Sequence, residues 1–383
     1  MIGRHAAAAG QLLSHPASIS NVVVDGPLGD ITADGLTTAL QSAGALSTGR
    51  CVTQLVADHI DGSYLSKLVR LTVEYDQPAD SAPASLVGKF PAPNEQVREI
   101  AKFMGRYARE VHFYKELAQN ARIQLPICYL AHVDAEGGSF QLLLEDIRGG
   151  VVHDQNFGCD RDDAQLALTQ AAQLHAAYWR AAILDGIGWL NRMDQAWVHQ
   201  WQAWQAMYAG AWRDFVTLDG VDLSPDQVAI GDSLANSDLA RWMCQHDSPL
   251  TLVHSDFHLG NLLYVGSGRE RQVFTVDWQI VAHAPAIIDV AVFLERMPTL
   301  TRRSLERDLV AEYHRALCSS GVTDYSWGQC WSDYQRWTWY GVLNSVMAAT
   351  IKAPTLEDLP SHTRSIARGL DQIADHDAVR FLR

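Results

Sequence analysis

The stretch TLVHSDFHLGNLLYVGSGRERQVFTVDWQ, residues 251–279, decides how the rest of this 383-residue chain is read. A short apolar strand, Thr251–Val253, leads into His254-Ser255-Asp256, and Asn261 comes five residues after that aspartate. Leu262–Val265, the polar turn GSGRER and Gln272–Val276 then predict a hairpin that delivers Asp277 at the end of its second strand. A carboxylate, an amide and a second carboxylate thereby reach the mouth of one loop-and-hairpin framework. In isolation an aspartate or asparagine in a loop caps a turn. The ordered set points further. Phosphoryl transfer needs a group to take the proton of the attacking hydroxyl and oxygen donors for magnesium, and this trio supplies both.

N-terminal to this stretch the texture is that of strands. CVTQLVAD (51–58) and SYLSKLVRLTVEY (63–75) flank a turn at Asp61-Gly62, LVGKF (86–90) reads as a third strand, and PICYLAHV (126–133) and SFQLLLE (139–145) flank Gly137-Gly138. A short helix is expected from a cap at Thr32 or Asp34 through Leu40. Between the third and fourth strands Val97, Ile100, Phe103, Tyr107, Val111, Tyr114 and Ala118 recur at helical spacing, predicting one long helix from a cap at Asn94 to about Asn120. Glu110 falls on the apolar stripe of that helix, and Lys89 sits in the apolar strand LVGKF. Each buried alone would cost several kcal/mol, about what an unpaired charge costs, and pairing them solves both problems. A strand lysine held by a helix glutamate is also the device that presents an ammonium to nucleotide phosphates.

Beyond residue 145 the chain turns helical in pattern, over 162–215, 301–318 and 329–350, interrupted by a β-rich island at 250–278. The expected division is residues 1–145, a small β-rich lobe (1–47 being an arm and a short helix), and residues 146–383, a larger helical lobe. All 12 tryptophans lie in the second part. With 30 basic against 44 acidic residues the net charge is −14, which argues against a nucleic-acid partner. Six cysteines without CxxC spacing fit a reducing cytoplasm and argue against a zinc module or a disulfide framework. No apolar run approaches the ~18 residues of a membrane span, so no membrane partner is expected. Nothing in the sequence sets an oligomeric state.

The segments ASLVGKF, REVHFYKEL (109–117), LLLEDI (142–147), QLHAAYW (173–179), LVHSDFHLGNLL (252–263) and VDWQ, with the later Asp289 in DVAVFL, run in one order over about residues 50–295. In these pieces the chain resembles the aminoglycoside phosphotransferase/choline kinase superfamily, and most closely its ecdysteroid-kinase-like (CHK-kinase-like) branch. The resemblance implies an α+β, protein-kinase-like two-lobed fold. It also implies an ATP- and Mg2+-dependent kinase that phosphorylates a hydroxyl of a small-molecule acceptor. By it Asp256 is the catalytic base, Asn261 and Asp277 hold magnesium, Lys89 contacts ATP and Glu110 positions Lys89. Glu145-Asp146-Ile147 would be the hinge that meets adenine, with Glu145 and Ile147 as its contacts, and Asp289 would brace the catalytic loop. The chain departs from the pattern in three places. Ser255 stands where many members have glycine. The phosphate-covering turn HIDGSY has Gly62 alone, leaving phosphate contacts to Gly62, Ser63 or Tyr64. The magnesium motif reads Asp-Trp-Gln, which suits this branch.

His254 and His258 have the i, i+4 spacing of a zinc pair on a helix, but in a predicted loop without an HExxH glutamate they read as structural. His175 reads as a hydrogen-bonded core histidine. Trp197, Trp201, Trp204 and Tyr208 share one helix face. They are either a core stripe or, through Trp201 and Trp204, the wall of an acceptor pocket. Trp331, Tyr334, Trp337 and Trp339 leave the same choice open. Aromatic walls suit an apolar or flat alcohol, or a quaternary ammonium held by cation–π contact. The alternatives are an aminoglycoside or choline-type cationic acceptor, favoured by the acidic second lobe, a hydroxyacyl thioester, or a catalytically silent nucleotide-binding scaffold.

Overall fold

The computed structural model describes residues 31–78, 82–352 and 358–382, and the arm expected over residues 1–30 lies outside them. The five expected N-terminal strands form one antiparallel sheet. They are β1 (Val52–Ile60), β2 (Ser66–Tyr75), β3 (Ser85–Pro91), β4 (Cys128–Val133) and β5 (Phe140–Glu145), in the spatial order β1-β2-β3-β5-β4. Along β2, Leu71 and Val73 point inward while Arg70 and Thr72 point out, the alternation of a half-covered strand. Helix α1 (Ala33–Ser42) covers the inner face with Leu36, Ala39 and Leu40, and the Thr32 hydroxyl caps it by accepting the Gly35 N–H at 3.1 Å.

The stretch from Asn94 to Asn120 is mostly helical but is not one rod. Helix α2 (Glu95–Phe103) starts at the expected Asn94 cap, and α3 (Arg106–His112) starts after a break. A π turn (Phe113–Leu117) and a 3-10 turn (Ala118–Asn120) complete the run. The break falls at Gly105, whose φ of +64° is left-handed and cannot continue a right-handed helix. Periodicity carries across such a bend, because the apolar face keeps its spacing while the axis changes.

The expected helix over 162–215 is also divided. Helix α4 (Arg161–Ala177) is followed by a short strand, β6 (Asn191–Arg192), and only then by α5 (Val198–Val216). Two short helices that the sequence pattern does not announce, α6 (Pro225–Ala235) and α7 (Leu239–Cys244), precede the β-rich island. That island contains β7 (Leu250–Val253) and the β8–β9 hairpin (Leu262–Val265, Gln272–Thr275). A further strand, β10 (Ala282–Pro285), pairs with β7 on one side and β6 on the other. Helix α8 (Ile287–Glu295) is buried along its whole length and forms the axis of the helical part. Around it stand α9 (Thr299–Ser319), α10 (Trp327–Trp337), α11 (Trp339–Lys352) and α12 (Leu359–Asp375). The sequence pattern merges α10 and α11, but they separate at Thr338. Trp337 and Trp339 are both fully buried, and side chains two apart on one helix point to opposite sides. The kink gives each indole its own partner, Ser248 Oγ at 3.0 Å and the Ala378 carbonyl at 2.9 Å. Among the described residues no helix is long and apolar enough to cross a membrane.

Where α11 crosses α8, Gly341 lies against the Glu295 carboxylate, and a Cβ there would overlap Glu295 Oε2. G341A should therefore cost about 1–3 kcal/mol of overpacking. A thermal melt should show the midpoint several degrees lower, and an unchanged midpoint would mean the two helices separate without cost.

Candidate active site

Lys89 in β3 pairs in register with Leu68 of β2 and Leu142 of β5, so its Cα is set by strands on both sides. Its ammonium lies 2.7 Å from Glu110 Oε2 and 3.0 Å from Oε1, and 2.8 Å from Asp277 Oδ1. Lys89 and Glu110 are buried. Burial opposes the charge on both, raising the Glu110 carboxyl, while the carboxylates of Asp277 and Glu110 more than offset it for Lys89 and hold the ammonium protonated. Glu110 also accepts the Trp278 N–H at 3.3 Å, which ties α3 to the turn after β9. The Trp278 ring stacks on Phe113 at 3.8 Å and meets the edge of His254 at 4.6 Å.

The loop after β7 is held from beneath. Asp289, fully buried on α8, accepts the N–H of His254 and the N–H of Ser255, each at 2.8 Å, and His175 Nε2 lies 3.1 Å from it. His175 is completed by the Tyr313 hydroxyl at 2.8 Å, so it is the hydrogen-bonded core histidine its position suggests. His254 accepts the Asp256 N–H through Nδ1 at 3.2 Å and donates Nε2–H to the Val276 carbonyl at 3.0 Å. It thereby staples the loop to the strand that carries Asp277. Ser255 and Asp277 both have positive φ, +70° and +67°.

Asp256, Asn261 and Asp277 all line one cleft of about 600 Å3. The Asn261 amide donates Nδ2–H to the Asp256 carbonyl at 2.9 Å, which turns its Oδ1 the other way as an oxygen donor. His258 accepts the Gly260 N–H on Nδ1 at 3.0 Å, leaving Nε2 to face Asp256 Oδ1 at 3.4 Å. Burial works to raise the Asp256 carboxyl, but His258, with Arg296 and His254 behind it, holds it well below the usual carboxylate range. It stands ionised, a proton acceptor open to the cleft through a side chain 33% exposed. Among the described residues no group of three or more His, Cys, Asp or Glu gathers into a metal site. Asn261 and Asp277 instead make a sparse set of oxygen donors, which fits Mg2+, an ion that keeps several waters and takes only one or two carboxylates.

The turn between β1 and β2 borders the same cleft with Gly62, Ser63 and Tyr64, and Gly62 has a φ of +106°. Glu145 and Ile147 stand outside that lining. The N–H of Glu145 donates to the Ile127 carbonyl at 2.8 Å, and its carboxylate accepts the Ile127 N–H at 3.1 Å. Asp146 accepts from Ser85 at 2.7 Å and pairs with Arg70 at 3.0 Å.

A second cavity of about 430 Å3 adjoins the cleft, and Arg106, Trp204, Ile280 and Asn344 line both. Its walls are largely aromatic and apolar, including Trp189, Trp197, Trp201 and Met193. Trp201 is buried and donates its indole N–H to the Arg192 carbonyl at 2.9 Å, while Trp204 is half-buried at the junction. Tyr208, on the same helix, belongs to the core. Tyr334, Trp337 and Trp339 are fully buried core, and Trp331 packs against it, so that second aromatic group lines neither cavity. Sequence reasoning missed Arg106 and Arg109, which alternate with Tyr107 and Glu110 on a helix read as merely amphipathic. Two arginines within one turn of the buried Glu110 were the available signal.

Residues 80–330 match the family model described as Phosphotransferase enzyme family. Comparison with curated proteins finds no match. Among solved structures, the choline kinase of Cryptosporidium parvum Iowa II is similar in fold, with 10% identity, 86% of this chain and 91% of that chain covered, and a TM-score of 0.50. The GDP and kanamycin complex of APH(2")-IIia is similar at 12% identity, covering 90% of this chain and 98% of that chain, also with a TM-score of 0.50. Both likenesses concern the kinase-like fold.

Asp289 offers a test of how the loop is held. D289N removes the charge and one of the acceptors serving two buried N–H groups, a loss of about 1–3 kcal/mol. The expected outcome is a lower thermal midpoint together with faster amide exchange at His254 and Ser255. Unchanged exchange at those two amides would mean the loop keeps its shape without the carboxylate.

Proposed function

The chain belongs to the phosphotransferase enzyme family, and from that premise we propose that it transfers the γ-phosphoryl group of ATP to a hydroxyl of a small, uncharged or apolar ring-bearing alcohol. In this reading residues 1–145 are the ATP-binding lobe and residues 146–383 the catalytic and acceptor-binding lobe. Asp256 is the base. It orients the acceptor hydroxyl and takes its proton as the oxygen bonds to the γ-phosphorus and the bond from that phosphorus to the departing ADP oxygen breaks. A carboxylate held so firmly ionised does most of its work by orientation, with the proton arriving late, which suits a loose phosphoryl transition state. Lys89, fixed by Glu110, sets a cation beside the triphosphate, and the Gly62-Ser63 turn covers it. The backbone of Glu145 and Ile147 meets the adenine. Asn261 and Asp277 would hold Mg2+, which when bound supplies positive charge to the phosphate oxygens. The Asp-Trp-Gln motif supports the ecdysteroid-kinase-like branch.

The observation that carries the acceptor class is the second cavity. It adjoins the cleft of Asp256, is walled by Trp201 and Trp204, and has no aspartate or glutamate among its lining residues. A site for a polycation or a quaternary amine would need anionic partners or a cage free of competing cations. Here the charged lining residues are Arg106 and Arg109. The net charge of −14 therefore does not describe this cavity.

The direct experiment is Mg2+-dependent ADP formation over a panel of polycyclic and aromatic alcohols, aminoglycosides, choline and ethanolamine. Turnover confined to the amines would sink the acceptor assignment. With any acceptor found, D256N should lower kcat by at least ~10²-fold while calorimetric Mg-ATP affinity stays near that of the parent. D277A should weaken that affinity instead, and the opposite pattern in the two variants would exchange their roles.

Trp204 is tested separately. W204A should raise the acceptor KM at least ~10-fold with kcat and the ATP KM little changed, because a lost wall is felt equally in ground and transition states. If it were only packing, the variant would lose about 3–5 kcal/mol of stability with both KM values intact.

A further inference from the structure

Arg106 is the first residue of α3 and lines both the cleft of Asp256 and Asp277 and the aromatic cavity. It stands where the two cavities meet. Among the described residues it forms no ion pair, its Nε is buried without a hydrogen-bond partner, and Nη2 reaches only the Met104 sulfur at 4.0 Å. Its neighbour Arg109 is differently placed. Nη1 of Arg109 donates to the Gln279 carbonyl at 3.0 Å, and Nη2 donates to the Met104 carbonyl at 3.2 Å and to Asn191 Oδ1 at 3.0 Å. Arg109 therefore holds the break before α3 to the turn after Asp277 through three Nη bonds, although its Nε, like that of Arg106, is buried without a partner. Arg106 has no such anchorage. Buried guanidinium nitrogens are ordinarily hydrogen-bonded; Arg106 feels the carboxylates of Asp256 and Asp277 across the cleft but makes no direct ion pair with either.

Resting on the phosphotransfer reading above, we propose that Arg106 contacts the γ-phosphoryl group as it passes from the nucleotide cleft to the acceptor. Three features converge on this. The guanidinium shares the cleft with both carboxylates that flank the reaction, Asp256 and Asp277. It lies at the opening through which the transferred group must be presented to an alcohol held by Trp201 and Trp204. Its five N–H donors have a planar geometry suited to phosphate oxygens, and it carries a fixed charge where negative charge moves in the transition state. The directly hydrogen-bonded anion that this cation lacks in the protein is brought by the nucleotide. Arg106 is thus a candidate catalytic residue, working from the helix that also carries Glu110.

The test uses the full chain with Mg2+ and two probes, ADP and the non-hydrolysable γ-phosphate analogue AMP-PNP. Calorimetry on the parent, R106M and R106K should show R106M losing at least ~10-fold in AMP-PNP affinity, the scale of a lost charge-assisted contact, with ADP affinity within about twofold. R106K, which keeps the charge without the fork, should fall between. Slow Mg2+-dependent hydrolysis of ATP by water should drop ~10²-fold in R106M, since removing one transition-state donor costs about that much. Should R106M fail to fold, judged by its melt, R106K carries the same comparison. Equal losses for ADP and AMP-PNP, or no loss for either, would overturn the proposal and return Arg106 to packing or to an anionic group on the acceptor. A parent that binds neither nucleotide would overturn the underlying nucleotide reading, and this inference with it, so the two failures are distinguishable.

Discussion

A single buried ammonium holds the architecture of the cleft. Lys89 comes from the middle of a sheet, Glu110 from a helix packed against it and Asp277 from the end of a hairpin nearly two hundred residues further on, and their charged ends meet within 3.0 Å. Neither Lys89 nor Glu110 tolerates burial alone, since an isolated charge in a protein interior costs several kcal/mol, on the order of a whole domain's margin of stability, while Asp277 meets the ammonium from the open side of the cleft. Sharing the charge removes that cost only if strand, helix and hairpin arrive together. The requirement is therefore a constraint on assembly as well as on chemistry. Trp278 reinforces it, because its N–H reaches the same Glu110 and its ring fills the space between Phe113 and His254.

Asp289 does for the backbone what Lys89 does for side chains. It takes two successive N–H groups, of His254 and Ser255, from a loop that would otherwise leave them unpaired in the core. This explains the positive φ of Ser255, a conformation that glycine adopts freely and serine only at a cost of about 1–3 kcal/mol. Glycine at this position would relax the turn. Here serine is kept in it by the buried carboxylate below. Asp277 is held in the same region of backbone space by Lys89 on one side and the Trp278–Glu110 bond on the other. The two unusual residues thus flank the cleft, each fixed by a partner fully inside the protein.

Legibility from sequence followed the range of the interaction. The five N-terminal strands, the Asn94 cap, the 251–277 hairpin and the pairing of Lys89 with Glu110 were readable because alternation, caps and buried charges are local or have one obvious complement. The break at Gly105 was not, because apolar spacing on both sides continues across it and only the left-handed φ reveals the bend. The separation of α10 from α11 was hidden for a similar reason. Two indoles two residues apart look like one rich apolar helix until each is seen to need a different hydrogen-bond partner. Strands β6 and β10 are two and four residues long and exist only by pairing with each other and with β7, a long-range fact with little local signature.

The two aromatic groups make the same point about function. Trp201–Tyr208 and Trp331–Trp339 are both tryptophan-rich stripes with near-helical spacing, yet Trp201 and Trp204 supply cavity walls while the second group belongs to the core around α8 and α10. What separates them is what faces them. Helix α5 runs past the bend at Gly105, where the chain steps aside and leaves room, and the guanidinium groups of Arg106 and Arg109 line that room. The break that hides from periodicity is thus the feature that opens the second cavity beside Trp201 and Trp204. It also sets two cations against an otherwise acidic chain. Average charge describes the surface that water sees, while selectivity is decided by a few desolvated groups at an opening, where the local sign can be opposite.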